Sequence, residues 1–415
     1  MPSFLSRKLA VGKAEPYDLK AKRSFAGKRP GKQRPLTALF PAGPCGNRRP
    51  CRTSDTTDPK RPGPPGPFAF PLPSPGILRY NSSDKLEGTF HEASSSHRHR
   101  GTIASRHTAE GLAPQLTPAE LLSYVPDAAS FCSIDTVQPI NLDSTNIRPE
   151  HWLLLANLIE EHYSRYDGFV ICHGTDTLAY TASALSYLIQ RTAKPIALTG
   201  AQRSIDEDTT DAKVNLLDAL RFACSGESGV CIVFGSHVIA GTRARKSRTK
   251  SYNAFTSLNF PDLASVHESR VVRYIPYEPQ GEPVFYHKLN TRVFLLKLTP
   301  GMDPAAFSAA GQLCDGLIIE SYGMGGIPDV YLEELDKLIR QGKTVIMATQ
   351  VPQEGSDLSV YQVGKHVKDR YHLLETYDMT LESTVTKLMW AMGQSSEPQE
   401  IRKLFCTTVN YDMLF

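Results

Sequence analysis

The chain has 415 residues and a formal net charge of +3, but the charges are unevenly divided along it. Residues 1–100 hold 19 Lys or Arg against 7 Asp or Glu, together with half of the 30 prolines, whereas the remainder holds 27 basic against 36 acidic residues. No apolar run approaches the ~20 residues of a membrane span, and the eight cysteines form no CxxC pair, which argues against a membrane protein, a disulfide framework and a zinc site. Scattered cysteines without an apolar signal segment favour a soluble, cytoplasmic protein.

The first 98 residues have the composition of a chain that does not fold by itself. They contain Pro-Gly-Pro-Pro-Gly-Pro at 62–67, several basic clusters and little periodicity. Such a segment cannot bury enough apolar surface to offset its ordering entropy, which predicts a disordered extension. The change in composition near residue 100 is abrupt, so a mistranslated extension is a second interpretation. Few aromatic residues accompany the basic ones, which disfavours nucleic-acid binding.

From residue 101 onward, short apolar runs alternate with helical patterns. Thr117-Pro118-Ala119-Glu120 predicts a capped helix start, and the preceding residues 106–115 are expected to form a polar loop. The predicted strands are 133–137, 167–172, 194–199 and 229–234, and further helices are predicted to begin near Arg148 and to cover 179–190 and 214–220. This alternation predicts βαβ units around a parallel sheet.

The same pattern restarts after a stretch of mixed composition at 276–290, which is interpreted as a linker. The predicted elements beyond it are strands 293–298, 316–319 and 344–348 and helices 304–311, 331–341 and 380–393. The expected fold is therefore α/β. A larger N-terminal domain at 101–275, with a doubly wound (flavodoxin/Rossmann-like) parallel sheet, is followed by a smaller C-terminal α/β domain at 291–415.

The most informative stretch is the buried run 167–172, which ends in His173-Gly174-Thr175-Asp176-Thr177 before a helical pattern begins. This arrangement places hydroxyls and a carboxylate at the carboxyl edge of the sheet, where open α/β sheets bind ligands. Thr175 or Thr177 could cap the helix, but capping explains only one of the polar residues. His173 is expected to be a hydrogen-bonded structural residue.

Other polar residues fall at strand ends or in the loops that follow, and they are Thr102, Ser144, Thr175, Asp176 and Lys246. A threonine hydroxyl becomes nucleophilic when a base removes its proton, and a lysine with a pKa lowered by burial can serve as that base. Ser144 could donate to a carboxylate, Asp176 could hold an ammonium, and the backbone near Ala201 could stabilise an oxyanion. Each residue also has a simpler explanation, because Lys246 could be solvated, Thr102 could be a turn residue and Ser144 could cap a helix.

Three segments resemble the bacterial L-asparaginase family, and the resemblance extends over roughly 101–410. They are 173–177, 194–201 and Gly101-Thr102-Ile103-Ala104-Ser105. The resemblance implies that a threonine attacks the side-chain amide of L-asparagine and releases ammonia, after which water hydrolyses the acyl-enzyme to aspartate, without metal or cofactor. Thr102 resembles the nucleophile, and Thr175, Asp176 and Lys246 resemble the second Thr–Lys–Asp group. Ser144 and Asp176 resemble substrate-binding residues, and Ala201 resembles the residue that lines the amide end.

The resemblance also implies a homodimer or homotetramer in which Asp357 lies in a segment that reaches towards a neighbouring subunit, and it leaves L-glutamine open as a second substrate. In the family, Thr-Gly-Gly-Thr-Ile follows a hydrophobic first strand inside the sheet, whereas here His99-Arg100-Gly101 precede Thr102. The sequence therefore predicts that this interior strand is missing. Two alternatives stay open, namely the asparaginase-like subunit of a tRNA-dependent amidotransferase and an inactive family member.

Overall fold

Two β-sheets, one of eight strands and one of four, carry the described part of the chain. The structure is a computed structural model and describes residues 76–81, 102–108, 111–114, 116–279, 281–360, 365, 368, 371 and 373–414. All of these residues lie in one compact unit, Ala69–Phe415. In the ranges just given, no helix has the length and apolar character needed to cross a bilayer.

The strands are numbered in chain order. Those before the four-stranded sheet are β1 (Gly76–Asn81), β2 (Ser105–Thr108), β3 (Gly111–Pro114), β4 (Ser133–Val137), β5 (Gly168–Cys172), β6 (Ile189–Gln190), β7 (Pro195–Thr199), β8 (Gly229–Phe234), β9 (His237–Ala240), β10 (Ala244–Lys246), β11 (Phe255–Ser257), β12 (Ala264–His267), β13 (Arg270–Arg273) and β14 (Val284–Phe285). The four-stranded sheet consists of β15 (Val293–Lys297), β16 (Gly316–Ser321), β17 (Thr344–Thr349) and β18 (Leu374–Glu375).

Eight described α-helices accompany these strands. They are α1 (Pro118–Ser123), α2 (Pro149–His162), α3 (Leu178–Leu188), α4 (Ala212–Ala223), α5 (Ala305–Leu313), α6 (Leu332–Arg340), α7 (Leu381–Gln394) and α8 (Pro398–Cys406). The predicted start of α1 is confirmed, because the Thr117 hydroxyl accepts from the Glu120 amide and the Glu120 side chain accepts in return from the Thr117 amide.

The large sheet has the order β13-β12-β9-β8-β7-β5-β1-β4. Its centre, β5-β7-β8, is parallel as predicted, whereas β9, β12 and β13 continue it as antiparallel neighbours. Helices cover both faces of this centre. Phe169 and Ile171 of β5 pack in the same cluster as α2 and α3, while Val170 between them packs in the cluster that contains α4. Strands buried on both faces need continuous apolar runs, which is why the sequence predicted the α/β fold correctly.

The interior position that the sequence predicted to be empty is filled, and that part of the prediction is wrong, but the strand comes from further upstream than the residues directly before Thr102. β1 lies between β5 and β4 and pairs with both in the antiparallel sense, with Gly76 beside Cys172 and Tyr80 beside Gly168. These six residues follow a proline-rich stretch and are separated from Thr102 by residues 82–101. Because their pairing partners lie far along the chain, no local pattern revealed them. The other predictions for residues 1–98 fall outside the described residues.

Two smaller differences concern segments that lacked a periodic pattern. The expected polar loop at 106–115 contains the hairpin β2–β3, with Thr108 opposite Gly111. The predicted linker at 276–290 contains β14, which pairs with β6 at the end of α3. Both pairings are held by main-chain hydrogen bonds, which side-chain periodicity does not report.

The C-terminal sheet β15-β16-β17-β18 is wholly parallel, as the restarted pattern predicted. Leu317 and Ile319 of β16 face the cluster that contains α5 and α6, whereas Ile318 faces the cluster of α7 and α8. Helix α7 begins after Thr380, whose hydroxyl accepts from the Ser383 amide. This helix also contacts α3, where Ser183 and Ser383 share a hydrogen bond of 3.1 Å between their Oγ atoms.

Ion pairs without solvent contact join the two sheet systems. Arg243, just before β10, pairs with Asp378 at 2.9 Å, and Lys387 of α7 pairs with Asp412 at 2.6 Å. Tyr187 of α3 donates to the same Asp412 carboxylate at 2.9 Å. Burial lowers the pKa of Lys387 and raises that of Tyr187. The Arg243 pair anchors the residue that leads directly into β10, the strand that ends at Lys246.

Candidate active site

The predicted cluster lies at the carboxyl end of β5, beside the end of the parallel strand β7. The His173 amide donates to the Thr199 carbonyl at 2.8 Å and so extends the pairing of β5 with β7 beyond the strands themselves. Gly200 follows directly, and a Cβ atom there would collide with the His173 carbonyl oxygen. Glycine at this position therefore permits the turns after β5 and β7 to lie side by side.

Thr177 is the N-cap residue of α3, but its hydroxyl does not cap the helix. It donates instead to the Ser144 carbonyl at 2.6 Å. The same two segments touch at Gly174, where a Cβ atom would come within 2.7 Å of the Ser144 Oγ. The helix-capping explanation of the threonines is therefore wrong, and Thr177 joins the loop after β4 to the cluster.

Ser144 is buried in a short 3₁₀ helix, Ser144–Asn146, beside Gly174. Asp143 caps this helix, because its carboxylate accepts from the Thr145 amide at 2.9 Å. Ser144 is therefore not needed as a cap. Its hydroxyl lies at the cluster that the sequence predicted.

Thr175 is buried and lies against Lys246, which extends towards it from the end of β10. The Lys246 Nζ donates to the Thr175 Oγ1 at 2.8 Å and to the Asp176 Oδ1 at 2.6 Å. The Lys246 side chain is 19% exposed, so it is not the solvated surface lysine that its Arg- and Lys-rich neighbourhood suggested. The structure thus brings together three of the predicted residues from positions as much as 71 apart in the chain.

Asp176 is more exposed to solvent than Lys246, with a side chain that is 57% exposed. One of its oxygens binds Lys246, which leaves the rest of the carboxylate facing solvent. An anionic oxygen in this position suits the ammonium group of a small ligand. The group therefore combines a hydroxyl, a cation in contact with it and an accessible anion.

The turn after β7 is held by residues that the sequence did not single out. The Asp211 carboxylate accepts from the amides of Gln202 and Arg203, and the Asn215 Nδ2 donates to the Gly200 carbonyl at 2.9 Å. Asp211 and Asn215 are one turn apart at the start of α4, a spacing that the sequence contains but that many helix starts share. Ala201 is wholly buried within this turn.

Thr102, the residue that resembles a nucleophile, begins a 3₁₀ helix, Thr102–Ala104, and only its backbone is described. This helix is tied to the turn after β7, because the Ile205 amide donates to the Ile103 carbonyl at 3.3 Å. Ile103 also lines a small cavity of about 60 Å³ together with Ser144 and Gly174. The Thr102 segment therefore borders the same edge of the sheet as the Thr175 group.

The aliphatic part of that cavity does not suit a charged amino acid, whereas Ser144 is one of its polar wall residues. Its lining is mainly aliphatic, with Ile103, Leu116, Leu121 and Ile140 among the wall residues. A ligand with an ammonium and a carboxylate needs polar partners, which the Thr175–Asp176–Lys246 group provides instead. In the part of the chain that is described, no group of three or more His, Cys, Asp or Glu side chains is placed to hold a metal ion.

His173 is structural, as the sequence predicted. Its Nδ1 lies 2.7 Å from the Gly174 carbonyl oxygen and therefore carries the hydrogen, so Nε2 accepts from the Thr181 hydroxyl at 3.0 Å. Trp152 in turn donates to the Thr181 Oγ1 at 3.0 Å. This buried chain of bonds needs a neutral imidazole, and burial lowers the pKa of His173 to about 4.

The free energy of unfolding should therefore depend on pH through His173. The unfolded chain takes up the proton near the usual pKa of 6.5, whereas the folded chain does so near 4, so stability is present above pH 6.5 and is lost as the pH falls towards 4. The expected slope from this group is about 1.4 kcal/mol per pH unit. Urea unfolding at several pH values in this window measures it.

The control is His173→Asn, which keeps an amide nitrogen near the Gly174 carbonyl but does not titrate. Its unfolding free energy should fall less steeply with decreasing pH than that of the parent chain. Equal slopes in the two proteins would show that His173 is not the group responsible.

Comparisons with known proteins show the family of the chain. The sequence model "Asparaginase, N-terminal" matches residues 99–277, and "Glutaminase/Asparaginase C-terminal domain" matches residues 292–405. The L-asparaginase of Thermococcus kodakarensis is 41% identical over 312 residues, which cover 73% of this chain and 94% of that protein. One of the subunits of the glutamyl-tRNA(Gln) amidotransferase of Pyrococcus furiosus is 31% identical over 322 residues, which cover 74% of this chain and 73% of that protein.

Solved structures show the same fold. The thermostable L-asparaginase from Thermococcus kodakarensis superposes with a TM-score of 0.72 at 39% identity, covering 76% of this chain and 98% of that one. L-asparaginase I from Vibrio cholerae superposes with a TM-score of 0.65 at 25% identity, covering 76% and 97%. The similarity therefore extends over nearly the whole length of each of these two structures.

Proposed function

Because the chain belongs to the asparaginase family, we propose that it hydrolyses the side-chain amide of L-asparagine to L-aspartate and ammonia. The observation that carries the proposal is the contact of Lys246 with both Thr175 and Asp176, at 2.8 and 2.6 Å. Thr175 and Asp176 follow β5 whereas Lys246 ends β10, and together they form a buried hydroxyl, a proton carrier and an accessible anion in one place. Amide hydrolysis by a threonine needs these three components.

In the proposed reaction the Thr102 hydroxyl oxygen attacks the side-chain amide carbon. An ester bond forms as the carbon–nitrogen bond breaks, and the leaving nitrogen takes up a proton and departs as ammonia. Water then cleaves the ester to aspartate and restores the threonine. Lys246 and Thr175 move the protons, a role supported by their direct hydrogen bond.

Substrate binding is assigned to the groups around this contact. Asp176 has an exposed carboxylate for the substrate ammonium, and Ser144 provides a hydroxyl for the substrate carboxylate. Ala201 lies in the turn beside the amide end. A pocket that differs by one methylene discriminates by only about 1–3 kcal/mol, so L-glutamine is expected to be a weaker second substrate.

Assembly and location belong to the same proposal. A homodimer or homotetramer in the cytoplasm follows from the family resemblance, with Asp357 directed towards a neighbouring subunit. The Asp357 carboxylate accepts from the Ser359 amide at 2.9 Å, and its hydrogen bonds to Ser359 keep the pKa of Asp357 below its usual value. Asp357 is therefore an ionised side chain in a fixed orientation. The six described cysteines are free thiols, which fits a reducing compartment.

The proposal is tested by incubating the purified, folded chain with L-asparagine or L-glutamine and measuring ammonia together with the amino-acid product. Equal amounts of ammonia and aspartate from L-asparagine are expected. The amidotransferase alternative, suggested by the 31% identity to a component of such an enzyme, instead predicts co-purification with a second protein component and tRNA. A folded chain that leaves asparagine intact would favour the inactive alternative.

A further inference from the structure

Gln202 connects the Thr175–Lys246 contact to the loop that follows Lys246. The Thr175 Oγ1 donates to the Gln202 Oε1 at 3.2 Å, and the Gln202 Nε2 donates to the Ser251 carbonyl at 3.2 Å. The Gln202 side chain thus lies between the buried Thr175 hydroxyl and the loop that contains Ser251. Neither the sequence motif nor the proposed reaction has given this residue a role.

The orientation of the side-chain amide of Gln202 is determined by its two partners, Thr175 and Ser251. A main-chain carbonyl such as that of Ser251 only accepts, so the Gln202 nitrogen must face Ser251 and its oxygen must face Thr175. Thr175 has one hydrogen, which it therefore gives to Gln202. Lys246, as an ammonium, donates into a lone pair of the same hydroxyl oxygen.

Both ends of this bridge are fixed independently of the Gln202 side chain. The main-chain amide of Gln202 donates to the Asp211 carboxylate, at 3.1 Å from one oxygen and 2.9 Å from the other. On the other side, the Tyr252 hydroxyl donates to the Thr209 carbonyl at 2.9 Å and ties down the loop that contains Ser251. A change in the Gln202 side chain therefore leaves both main-chain anchors in place.

We propose that Gln202 is a positioning residue that holds the Thr175 hydrogen away from Lys246 while the lysine is charged. The charged groups around this contact are Lys246, Asp176 and, on the main-chain side of Gln202, Asp211. When Lys246 is an ammonium, Gln202 gives the Thr175 hydrogen an acceptor. When Lys246 is a free amine, its lone pair can take that hydrogen instead. Gln202 thus favours the charged state and orients the hydroxyl.

This inference rests on the proposed function and predicts opposite effects of two substitutions. Gln202→Met removes the acceptor, so the acid limb of the kcat/KM profile for L-asparagine should move to lower pH by about 0.5–1 unit, with kcat reduced about 10-fold or more and KM little changed. Gln202→Glu places a carboxylate beside the hydroxyl and should move the limb to higher pH. Gln190→Met is the matched control, because Gln190 also donates to a main-chain carbonyl, that of Tyr187, at 3.1 Å.

A second readout does not depend on activity. The rate at which an amine-directed acylating reagent labels Lys246, followed by peptide mass spectrometry, should shift with pH in the same opposite directions in the two Gln202 variants. Loss of activity without either shift would mean that Gln202 is only structural and would overturn the inference. Shifts in labelling in a chain that never cleaves asparagine would support the positioning role and refute the proposed function.

Discussion

Replacement of Thr175 by alanine is expected to lower kcat/KM for L-asparagine by about 10³-fold. The Thr175 hydroxyl is buried and bonded to both Lys246 and Gln202, so its removal breaks the only described path between the lysine and that glutamine. The loss should appear in kcat, because Asp176 and Ser144, the proposed substrate-binding residues, are unchanged. Steady-state ammonia release, measured over a range of asparagine concentrations, separates kcat from KM.

The control for this experiment is Thr175→Ser, which keeps the hydroxyl and is expected to retain most of the activity. Thr102→Ala should be equally damaging, since Thr102 is the proposed nucleophile. Circular dichroism and thermal unfolding show whether each variant is folded. Activity that survives both alanine substitutions would refute the two-threonine mechanism.

Replacement of Lys387 by methionine is expected to lower the free energy of unfolding by about 3–5 kcal/mol. Neither Lys387 nor its partner Asp412 has exposed side-chain surface, and the Lys387 Nζ also donates to the Thr407 carbonyl at 2.7 Å. Methionine preserves the length of the side chain but leaves a buried carboxylate without its counter-charge. Urea unfolding at neutral pH measures the loss.

Two further variants show whether charge burial is the cause. Lys403→Met breaks an exposed pair with Glu400 and should cost no more than about 0.5 kcal/mol. In the double variant Lys387→Met with Asp412→Asn, no unpaired charge remains, so its cost should be smaller than the sum of the two single costs by at least about 1 kcal/mol. Additive costs would mean that the ion pair contributes only through its packing.

The sequence allowed the α/β fold and half of the site to be predicted because both depend on local patterns. The run 168–172 is apolar throughout since β5 is buried on both faces, and the polar residues 173–177 follow at its carboxyl end. Lys246 was one of several candidates near strand ends, and its role was inferred from family resemblance. Its basic neighbours indicated a solvated loop, whereas the pairing of β10 with β11 directs it towards Thr175.

The features that were missed depend on partners distant in the chain. β1 is recognisable only through its pairing with β4 and β5, about 55 and 90 residues away. Gln202 and Asp211 form ordinary polar loop and helix-start sequence until the turn after β7 brings the Gln202 side chain to Thr175 and the Asp211 carboxylate to the Gln202 main chain. The buried pair of Lys387 and Asp412 similarly joins two residues that lie apart in the chain.

The proposed reaction opens the asparagine side-chain amide through an ester on threonine. It is tested most directly by partitioning, in which hydroxylamine competes with water for the ester and yields aspartyl hydroxamate beside aspartate. One common intermediate predicts the same ratio of hydroxamate to aspartate from L-asparagine and from the β-methyl ester of L-aspartate. Different ratios for the two substrates, or aspartate formation without any hydroxamate, would contradict the acyl-enzyme.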